Sequence, residues 1–354
     1  MVTMRDIAAA AGVSQATVSY ALHDKPVVST TTARKVKEVA RRLNYSPNIT
    51  ARSLKSGRSG AIGLVLQELD KPYSSHLADT ISRYALDRGV QTIIQQTLYR
   101  RKSETSILEL VTSSICDGVI LAPSKLTEGQ IRDQLNGKPA VLLSPSTRST
   151  IYDSVYTPGF EGSYQATSYL LAHGCNRPIF MGRGFRARTG QRQTCDSALQ
   201  RVAGFERAMA DRGIDPDPDC FIELEKWETP FARRTIREVI DRGPSFDGVV
   251  CMNDTIALGV LRGLRDRGVE VPGQVSVIGF DGIGEGECSV PALSTVTLDI
   301  EQCARMAVDT LLERIGRAGQ GKGPEGGQDG QLGREGGPAH LKVDCRLTIR
   351  ESTR

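Results

Sequence analysis

The stretch "MRDIAAAAGVSQATVSYAL", residues 4–22, decides how the N-terminal part of the chain is organised. Thr3 stands three positions before Asp6, which is the spacing of a capping box, and apolar residues then recur at helical spacing as far as Gly12. Gly12 allows a left-handed helix end, and Ser14 is placed to cap a second helix. The sequence therefore predicts two short helices joined by a tight turn.

The small residues of this stretch also predict how the two helices cross. Ala8 and Gly12 permit a close approach of the two backbones, while Val13 and Val18 fill the angle between them. These features are typical of a helix-turn-helix unit. A third helix is predicted to begin after Ser29, with one apolar face and several lysines and arginines on the rest. A three-helix interaction bundle with a polar exterior is the alternative.

Several side chains of this unit lie outside the predicted apolar faces of its helices. In a helix-turn-helix unit that reads DNA, the early outward positions of the second helix enter the major groove. There, glutamine pairs with adenine and a small side chain contacts the thymine methyl group, while hydroxyl and amide side chains suit phosphates. The predicted DNA-contacting residues are Thr3, Ser14, Gln15, Ala16, Thr17, Ser19, Tyr20 and Asn44.

The distribution of charge favours a polyanionic partner for the same segment. Residues 1–60 contain ten Lys and Arg against three Asp and Glu, a net charge of +7, and the rest of the chain carries −3, which agrees with the total of +4. A basic block alone also fits a solvated face or a tail. Because this block coincides with helical patterning, it indicates nucleic acid binding.

Residues 4–22, followed by "VVSTTTARKVKEVARRLNYSPNITARSLKSGRSGAIGLVL" at residues 27–66, resemble the DNA-binding headpiece and hinge of the lactose-repressor (LacI/GalR) family. The resemblance implies a homodimeric transcriptional repressor bound to a palindromic operator in double-stranded DNA. The family pattern favours release by an inducer, with corepression as the alternative. The family usually has Thr-Val-Ser-Arg in the second helix, whereas this chain has "TVSY" at residues 17–20. Because the arginine reads a base in the family, the operator sequence is not transferable from relatives.

We expect residues 1–46 to form the helix-turn-helix domain and residues 47–60 to form a hinge helix and linker. Asn48 is placed to cap a short helix in this linker. The resemblance implies that the hinge helix enters the minor groove, where Leu54 wedges a base step beside Ala51. Packing of Leu54 against the headpiece is the alternative.

Beyond Gly60, short β-branched runs alternate with helical stretches, several of which end in Asp-Arg-Gly. This alternation predicts parallel sheets covered by helices on both faces. The similarity of "DGVI" at residues 117–120 to "DGVV" at residues 247–250 predicts two similar lobes. The predicted strands are "AIGLVL", "VQTIIQQ", "DGVILAP", "AVLLS", "PIFMGR", "DGVVCMN" and "VSVIGF".

The predicted fold class is thus an all-α helix-turn-helix headpiece plus an α/β effector domain of two similar parallel-sheet lobes. The effector domain resembles periplasmic binding proteins. We expect it to span residues 61–354, with an N-lobe of about residues 61–174 and 292–318 and a C-lobe of about residues 175–291 and 339–354. Residues 316–338 are rich in glycine and polar residues and are predicted to be a disordered insertion.

Ligands of open α/β sheets collect beyond the carboxyl ends of the strands. By that rule the candidate contacts are Gln67, Asn253, Asp254 and Asp281. The family's effector domain often binds a sugar between its lobes, and the resemblance adds Tyr73, Glu161, Arg201 and Trp227 as effector-binding residues. A carboxylate and an amide suit sugar hydroxyls, and an indole suits the apolar face of a pyranose.

Four of these residues also have a structural interpretation. Asp281 can cap a turn, Asn253 can cap the next helix, Trp227 can belong to the core, and Arg201 can form an ion pair between the lobes. Arginines between positions 183 and 192 favour an acidic effector if they turn into the cleft and are otherwise an exposed cluster. The sequence leaves these alternatives open.

Other classes of protein find little support in the sequence. The eight cysteines and four histidines are dispersed, so we expect neither a metal site nor a cofactor. No phosphate loop and no nucleophile elbow are present, so we expect no enzyme activity.

No secretory leader or membrane span is evident, which predicts a cytoplasmic, nucleoid-associated protein. "RLTIRESTR" is not followed by a leucine heptad, which predicts a dimer. The alternative is a sugar-binding protein or a sugar kinase fused to a DNA-binding headpiece.

Overall fold

The computed structural model of the chain describes residues 2–22, 25–45, 58–110, 115–144, 148–184, 196–243, 245–320 and 337–354. The chain divides into two compact units, Met1–Ser59 and Gly60–Arg354. Most of the predicted hinge, including Asn48, Ala51 and Leu54, lies outside the described residues. No helix among the described residues is long and apolar enough to span a membrane.

The first unit contains α1 (Met4–Ala11), α2 (Gln15–Leu22) and α3 (Thr30–Arg42). The predicted caps are present: Thr3 and Asp6 form a capping box, and Gly12 ends α1 in the left-handed conformation at φ 64°. Ile7, Val18 and Val36, one from each helix, are fully buried in the shared core. The predicted helix-turn-helix fold is confirmed.

The second unit contains two six-stranded sheets. The first consists of β1 (Ala61–Leu66), β2 (Gln91–Gln96), β3 (Gly118–Leu121), β4 (Ala140–Leu143), β5 (Asp153–Tyr156) and β11 (His340–Lys342), in the order β11-β5-β4-β3-β1-β2. The second consists of β6 (Pro178–Gly182), β7 (Phe221–Glu223), β8 (Gly248–Cys251), β9 (Ser276–Asp281), β10 (Ser294–Leu298) and β12 (Cys345–Thr348), in the order β12-β10-β9-β8-β6-β7.

The two sheets repeat one topology, which confirms the prediction of two similar lobes. Their strands pair in parallel, except that β12 runs antiparallel to β10. The helices of this unit are α4 (Pro72–Asp87), α5 (Arg101–Leu110), α6 (Glu128–Leu135), α7 (Gly159–Ala172), α8 (Ser197–Ala210), α9 (Thr229–Arg242), α10 (Asp254–Asp266) and α11 (Ile300–Gln320).

The repeated Asp-Gly pairs have equivalent places at the amino ends of β3 and β8. The carboxylate of Asp117 accepts the backbone N–H of Gly60 at 2.9 Å. The carboxylate of Asp247 accepts the N–H groups of Asn176 and Arg177 at 2.8 and 2.9 Å. The aspartates therefore fix the segments that lead into the neighbouring strands β1 and β6.

The lobe boundaries differ from the predicted ones at three places. α7 packs in the core of the second sheet through Ala166 and Leu170, although it falls within the predicted N-lobe. β10 belongs to the second sheet and β11 to the first, the reverse of the prediction. α11 continues to Gln320, so residues 316–320 are helical, and residues 321–336 of the predicted insertion lie outside the described residues.

These differences have one physical reason. The described chain passes between the sheets three times, between β5 and β6, between β10 and β11, and between β11 and β12. An apolar run predicts that a strand or helix is buried, but it does not specify which of two similar cores buries it.

Candidate functional sites: the outer face of α2 and a buried Arg–Asp pair

The outer face of α2 is free of the headpiece core. Gln15 and Ala16 are exposed, and Tyr20 retains 46% of its surface, whereas Val18 and Ala21 on the other face are fully buried. The Ser14 hydroxyl accepts the N–H of Thr17 at 3.1 Å, which fixes the first turn of the helix. α2 therefore presents a continuous polar and small-residue face of the kind that enters a DNA groove.

The other predicted DNA contacts lie on different elements of the headpiece. The Thr3 hydroxyl is bonded to the Asp6 carboxylate at 2.8 Å, so this side chain serves α1 as a cap. Ser19 is partly buried on α2. Asn44 is exposed beyond the end of α3 with a left-handed φ of 49°. The structure thus gathers Ser14 to Thr17 with Tyr20 along one helix, and Thr3 and Asn44 belong to the elements on either side of it.

The centre of the second unit's candidate site is a buried ion pair in the second lobe. Arg201 on α8 donates from Nη2 to Asp281 Oδ1 at 3.2 Å and from Nη1 to the carbonyl oxygen of Met252. About a tenth of each charged side chain is exposed. The guanidinium lies 3.6 Å from the centroid of the Phe280 ring, a cation–π contact. Arg201 Nε is buried and has no hydrogen-bond partner among the described residues.

Burial also shifts the ionisation of this pair. Desolvation raises the pKa of Asp281 to about 6, and the Arg201 guanidinium opposes that rise. Asp281 stands at the carboxyl end of β9 with φ 115°, a region that side-chain-bearing residues rarely adopt. A buried, strained and charged residue at a strand end is typical of a functional site.

Tyr73 and Trp227 also belong to this region. Tyr73 on α4 packs against the cores of both lobes, and the charges of Asp281 and Arg201 act on the pKa of its phenol. Burial raises the pKa of this phenol well above its usual range. Trp227 Nε1 donates to the carbonyl oxygen of Gly182 at 2.8 Å, which fixes the indole at the carboxyl end of β6.

Asn253 and Gln67 are both engaged with backbone groups. Asn253 Oδ1 accepts the N–H of Ile256 at 2.8 Å, so the residue caps α10, as its structural interpretation predicts. Its side-chain nitrogen makes no hydrogen bond with a described residue. Gln67 Nε2 donates to the carbonyl oxygens of Ala122 and Pro123 at 3.1 and 3.4 Å, which links the ends of β1 and β3.

Two of the predicted contacts have other surroundings than expected. Glu161 is nearly half exposed and forms an ion pair of 2.6 Å with Lys342 on β11, so its carboxylate is engaged with a surface lysine. Asp254 is fully buried and bonds to backbone groups beside β9. Glu161 was predicted from the resemblance and Asp254 from its place after a strand, and neither specifies which way a side chain points.

Sequence reasoning missed the polar contacts between the lobes, one of which joins Thr157 and Ser197. The Thr157 hydroxyl, just after β5 of the first sheet, lies 3.3 Å from the hydroxyl of Ser197, the first residue of α8. No group of His, Cys, Asp and Glu among the described residues is arranged to hold a metal ion.

Known proteins share both units. Residues 3–48 match the family of bacterial regulatory proteins, lacI family, and residues 167–353 match the periplasmic binding protein-like domain. The HTH-type transcriptional repressor PurR of Vibrio cholerae serotype O1 (strain M66-2) is 30% identical over 318 residues, covering 89% of this chain and 92% of the repressor.

Solved structures support the same assignment. A LacI-family protein from Sanguibacter keddieii DSM 10542 is 33% identical, with a TM-score of 0.71 over 84% of this chain and 99% of that chain. The lac repressor dimer bound to operator and the anti-inducer ONPF shares the fold, with a TM-score of 0.79 at 22% identity over 99% of both chains. The chain belongs to the LacI family of bacterial transcription regulators.

Proposed function

We propose that this regulator represses transcription by binding a palindromic operator as a homodimer, and that a small effector bound at the Arg201–Asp281 pair releases it. The effector is proposed to be a sugar or a sugar derivative. The observation that supports the DNA-binding part is the outer face of α2, where Gln15, Ala16 and Tyr20 are exposed over a fully buried apolar face.

The chemistry of that face suits direct reading of base edges. Glutamine pairs with adenine through two hydrogen bonds, and an alanine methyl group contacts the methyl group of thymine. The net charge of +7 over residues 1–60 supplies the attraction to phosphates. Two copies related by a two-fold axis would bind half-sites about one helical turn apart.

The effector part of the proposal rests on the polar groups around the buried pair. Arg201 Nε has no partner among the described residues, and Asn253 offers its side-chain nitrogen. These donors and the Asp281 carboxylate suit hydroxyl groups, which both donate and accept hydrogen bonds. Trp227 and Tyr73 supply apolar surface for the ring of a sugar.

The DNA-binding part is tested by fluorescence anisotropy. Genomic fragments selected by the full-length protein are titrated at several salt concentrations, with wild type, Gln15→Ala and the control Thr31→Ala, which truncates an exposed residue of α3. Gln15→Ala should weaken specific binding by roughly 1–3 kcal/mol, whereas Thr31→Ala should leave it within experimental error. If Gln15→Ala and wild type bound a selected fragment with equal affinity, the proposal that Gln15 on α2 reads a base would be refuted.

The effector part is tested by the emission of Trp227, the single tryptophan of the chain. Monosaccharides, disaccharides, sugar phosphates and nucleosides are titrated into wild type and Arg201→Met, and each compound that binds is then added to the protein–DNA complex. A sugar that binds wild type, loses affinity in the variant and dissociates the complex supports the proposal. A response confined to nucleosides would replace the sugar class, and turnover of ATP with a sugar would favour a fused kinase.

A further inference from the structure

Asp254 lies directly beneath the turn that carries Asp281. It is fully buried at the first position of α10. Its Oδ2 accepts the backbone N–H groups of Gly282 and Ile283 at 2.7 and 2.8 Å, and its Oδ1 accepts the hydroxyl of Thr295 at 2.6 Å. The carboxylate therefore binds the two peptide groups that immediately follow Asp281.

The conformation of Asp281 requires support from its surroundings. A φ of 115° is unfavourable for an aspartate and persists only where neighbouring contacts determine it. The two N–H groups held by Asp254 are the first fixed points after that residue in the chain. Before it, β9 is fixed by its parallel pairing with β8 and β10.

The fold makes room for the Asp254 carboxylate at a specific point of β9. A Cβ atom on Gly279 would lie 2.0 Å from Asp254 Oδ1, so a residue with a side chain there would displace the carboxylate. No described residue forms a salt bridge with Asp254. Its charge is met by three hydrogen-bond donors and by the N-terminus of α10.

We propose that Asp254 is a positioning residue of the ligand site: by binding the backbone after Asp281, it keeps the Asp281 carboxylate against Arg201. This inference rests on the proposed function only in so far as the Arg201–Asp281 pair contacts the effector. The arrangement around the pair does not depend on the identity of that effector.

The Asp281 carboxylate also affects the pKa of Asp254. Burial and the nearby Asp281 carboxylate raise the pKa of Asp254 to about 7. Among the described residues, the other titratable groups around the two carboxylates are Arg201 from α8, the phenol of Tyr73 from α4 and the thiol of Cys251 from β8.

The test compares full-length Asp254→Ala and Asp254→Asn with the matched control Asp247→Ala. Asp247 also accepts two backbone N–H groups, but it precedes β8, whereas Asp254 follows that strand. Crystal structures of the variants should show that Asp254→Ala moves Asp281 out of the left-handed region and breaks its contact with Arg201. Asp254→Asn, which keeps an acceptor oxygen, and Asp247→Ala should retain both features. An unchanged Asp281–Arg201 contact in Asp254→Ala would overturn the proposal.

A second measurement decides the matter if Asp254→Ala does not fold. The side-chain carboxyl carbon of Asp254, assigned with Asp254→Asn, is titrated by NMR in wild type and Asp281→Asn. Removal of the Asp281 carboxylate should lower the pKa of Asp254 from its value of about 7, because the nearby Asp281 charge raises it. An identical titration curve in the two proteins would contradict the inference. If a ligand bound wild type and Arg201→Met equally in the effector test, the proposed ligand site would be refuted, but these two readouts would be unaffected.

Discussion

Replacement of Arg201 by methionine should destabilise the protein in a pH-dependent manner. Methionine keeps an apolar contact with the Phe280 ring, which the guanidinium approaches to 3.6 Å. It removes the positive charge that lies opposite the Asp281 carboxylate at 3.2 Å. A buried carboxylate without its cation must either remain charged at high cost or become protonated.

The sign and size of the effect follow from the ionisation of Asp281. Its pKa is about 6 in the folded protein, against 3.8 for the ordinary group. The folded state therefore binds more protons between these values, and its stability falls as the pH rises through that window, then levels off above the folded pKa. Without Arg201 the pKa rises further, so in the variant the fall continues beyond pH 6. Since each pH unit costs about 1.4 kcal/mol, the variant should lose roughly 2 kcal/mol more than wild type between pH 6 and pH 7.5.

The measurement is urea unfolding followed by the emission of Trp227, at pH 5.0 and pH 7.5. Arg201→Met should approach wild-type stability at pH 5.0 more closely than at pH 7.5. The double variant Arg201→Met/Asp281→Asn is the control, because without the carboxyl group its difference from wild type should lack the extra loss above pH 6. Because the Asp281 carboxylate also raises the pKa of Asp254, the single variant Asp281→Asn is measured as a reference for the double variant. A loss of stability in Arg201→Met that is equal at the two pH values would refute the reasoning.

Three further substitutions address the headpiece and the hinge. Leu54→Ala should weaken binding to a selected operator far more than binding to non-specific DNA, and equal losses in anisotropy titrations would remove the wedge role. Tyr20→Arg should change the preferred base at one symmetric pair of operator positions, which site selection measures; an unchanged profile would exclude base reading by Tyr20. Gly12→Ala should destabilise the helix-turn-helix unit by about 1 kcal/mol, because the residue has φ 64° and no heavy atom lies within 4 Å of an added methyl group. Hydrogen exchange of the α1 and α2 amides checks this cost, and unaltered protection would contradict it.

The headpiece was predictable because its determinants are local. The capping box of Thr3 and Asp6, the cap at Ser14 and the left-handed Gly12 each act within about four residues. Both partners of such an interaction lie in the same short stretch of sequence, so the pattern of that stretch is enough to predict it. For the same reason seven strands of the second unit were predicted. The short strands β5, β7, β10, β11 and β12 were not among them, and neither was the distribution of strands between the sheets.

The candidate site was predictable as a set of positions but not as a set of contacts. Placing Asp281 at a strand end followed from the alternation of strands and helices. Its partners are distant in sequence: Arg201 lies 80 residues away, and Thr295 is joined to Asp254 across 41 residues. Glu161 meets Lys342 across 181 residues, through a crossing of the chain that no local pattern indicates. Side-chain direction therefore decided which candidates came together.

The contacts between the lobes suggest why effector binding would influence their arrangement. Tyr73 packs against the cores of both lobes, and the charges of Arg201 and Asp281 in the second lobe act on the pKa of its phenol. A ligand bound at that pair, as proposed, would therefore lie beside Tyr73. Lys71, at the start of α4, and Glu228, at the start of α9, form a partly exposed ion pair of 3.7 Å. Such a pair contributes at most about 1 kcal/mol. A ligand that prefers one arrangement of the lobes by about 1–3 kcal/mol, the usual range of allosteric coupling, would therefore outweigh a contact of this kind.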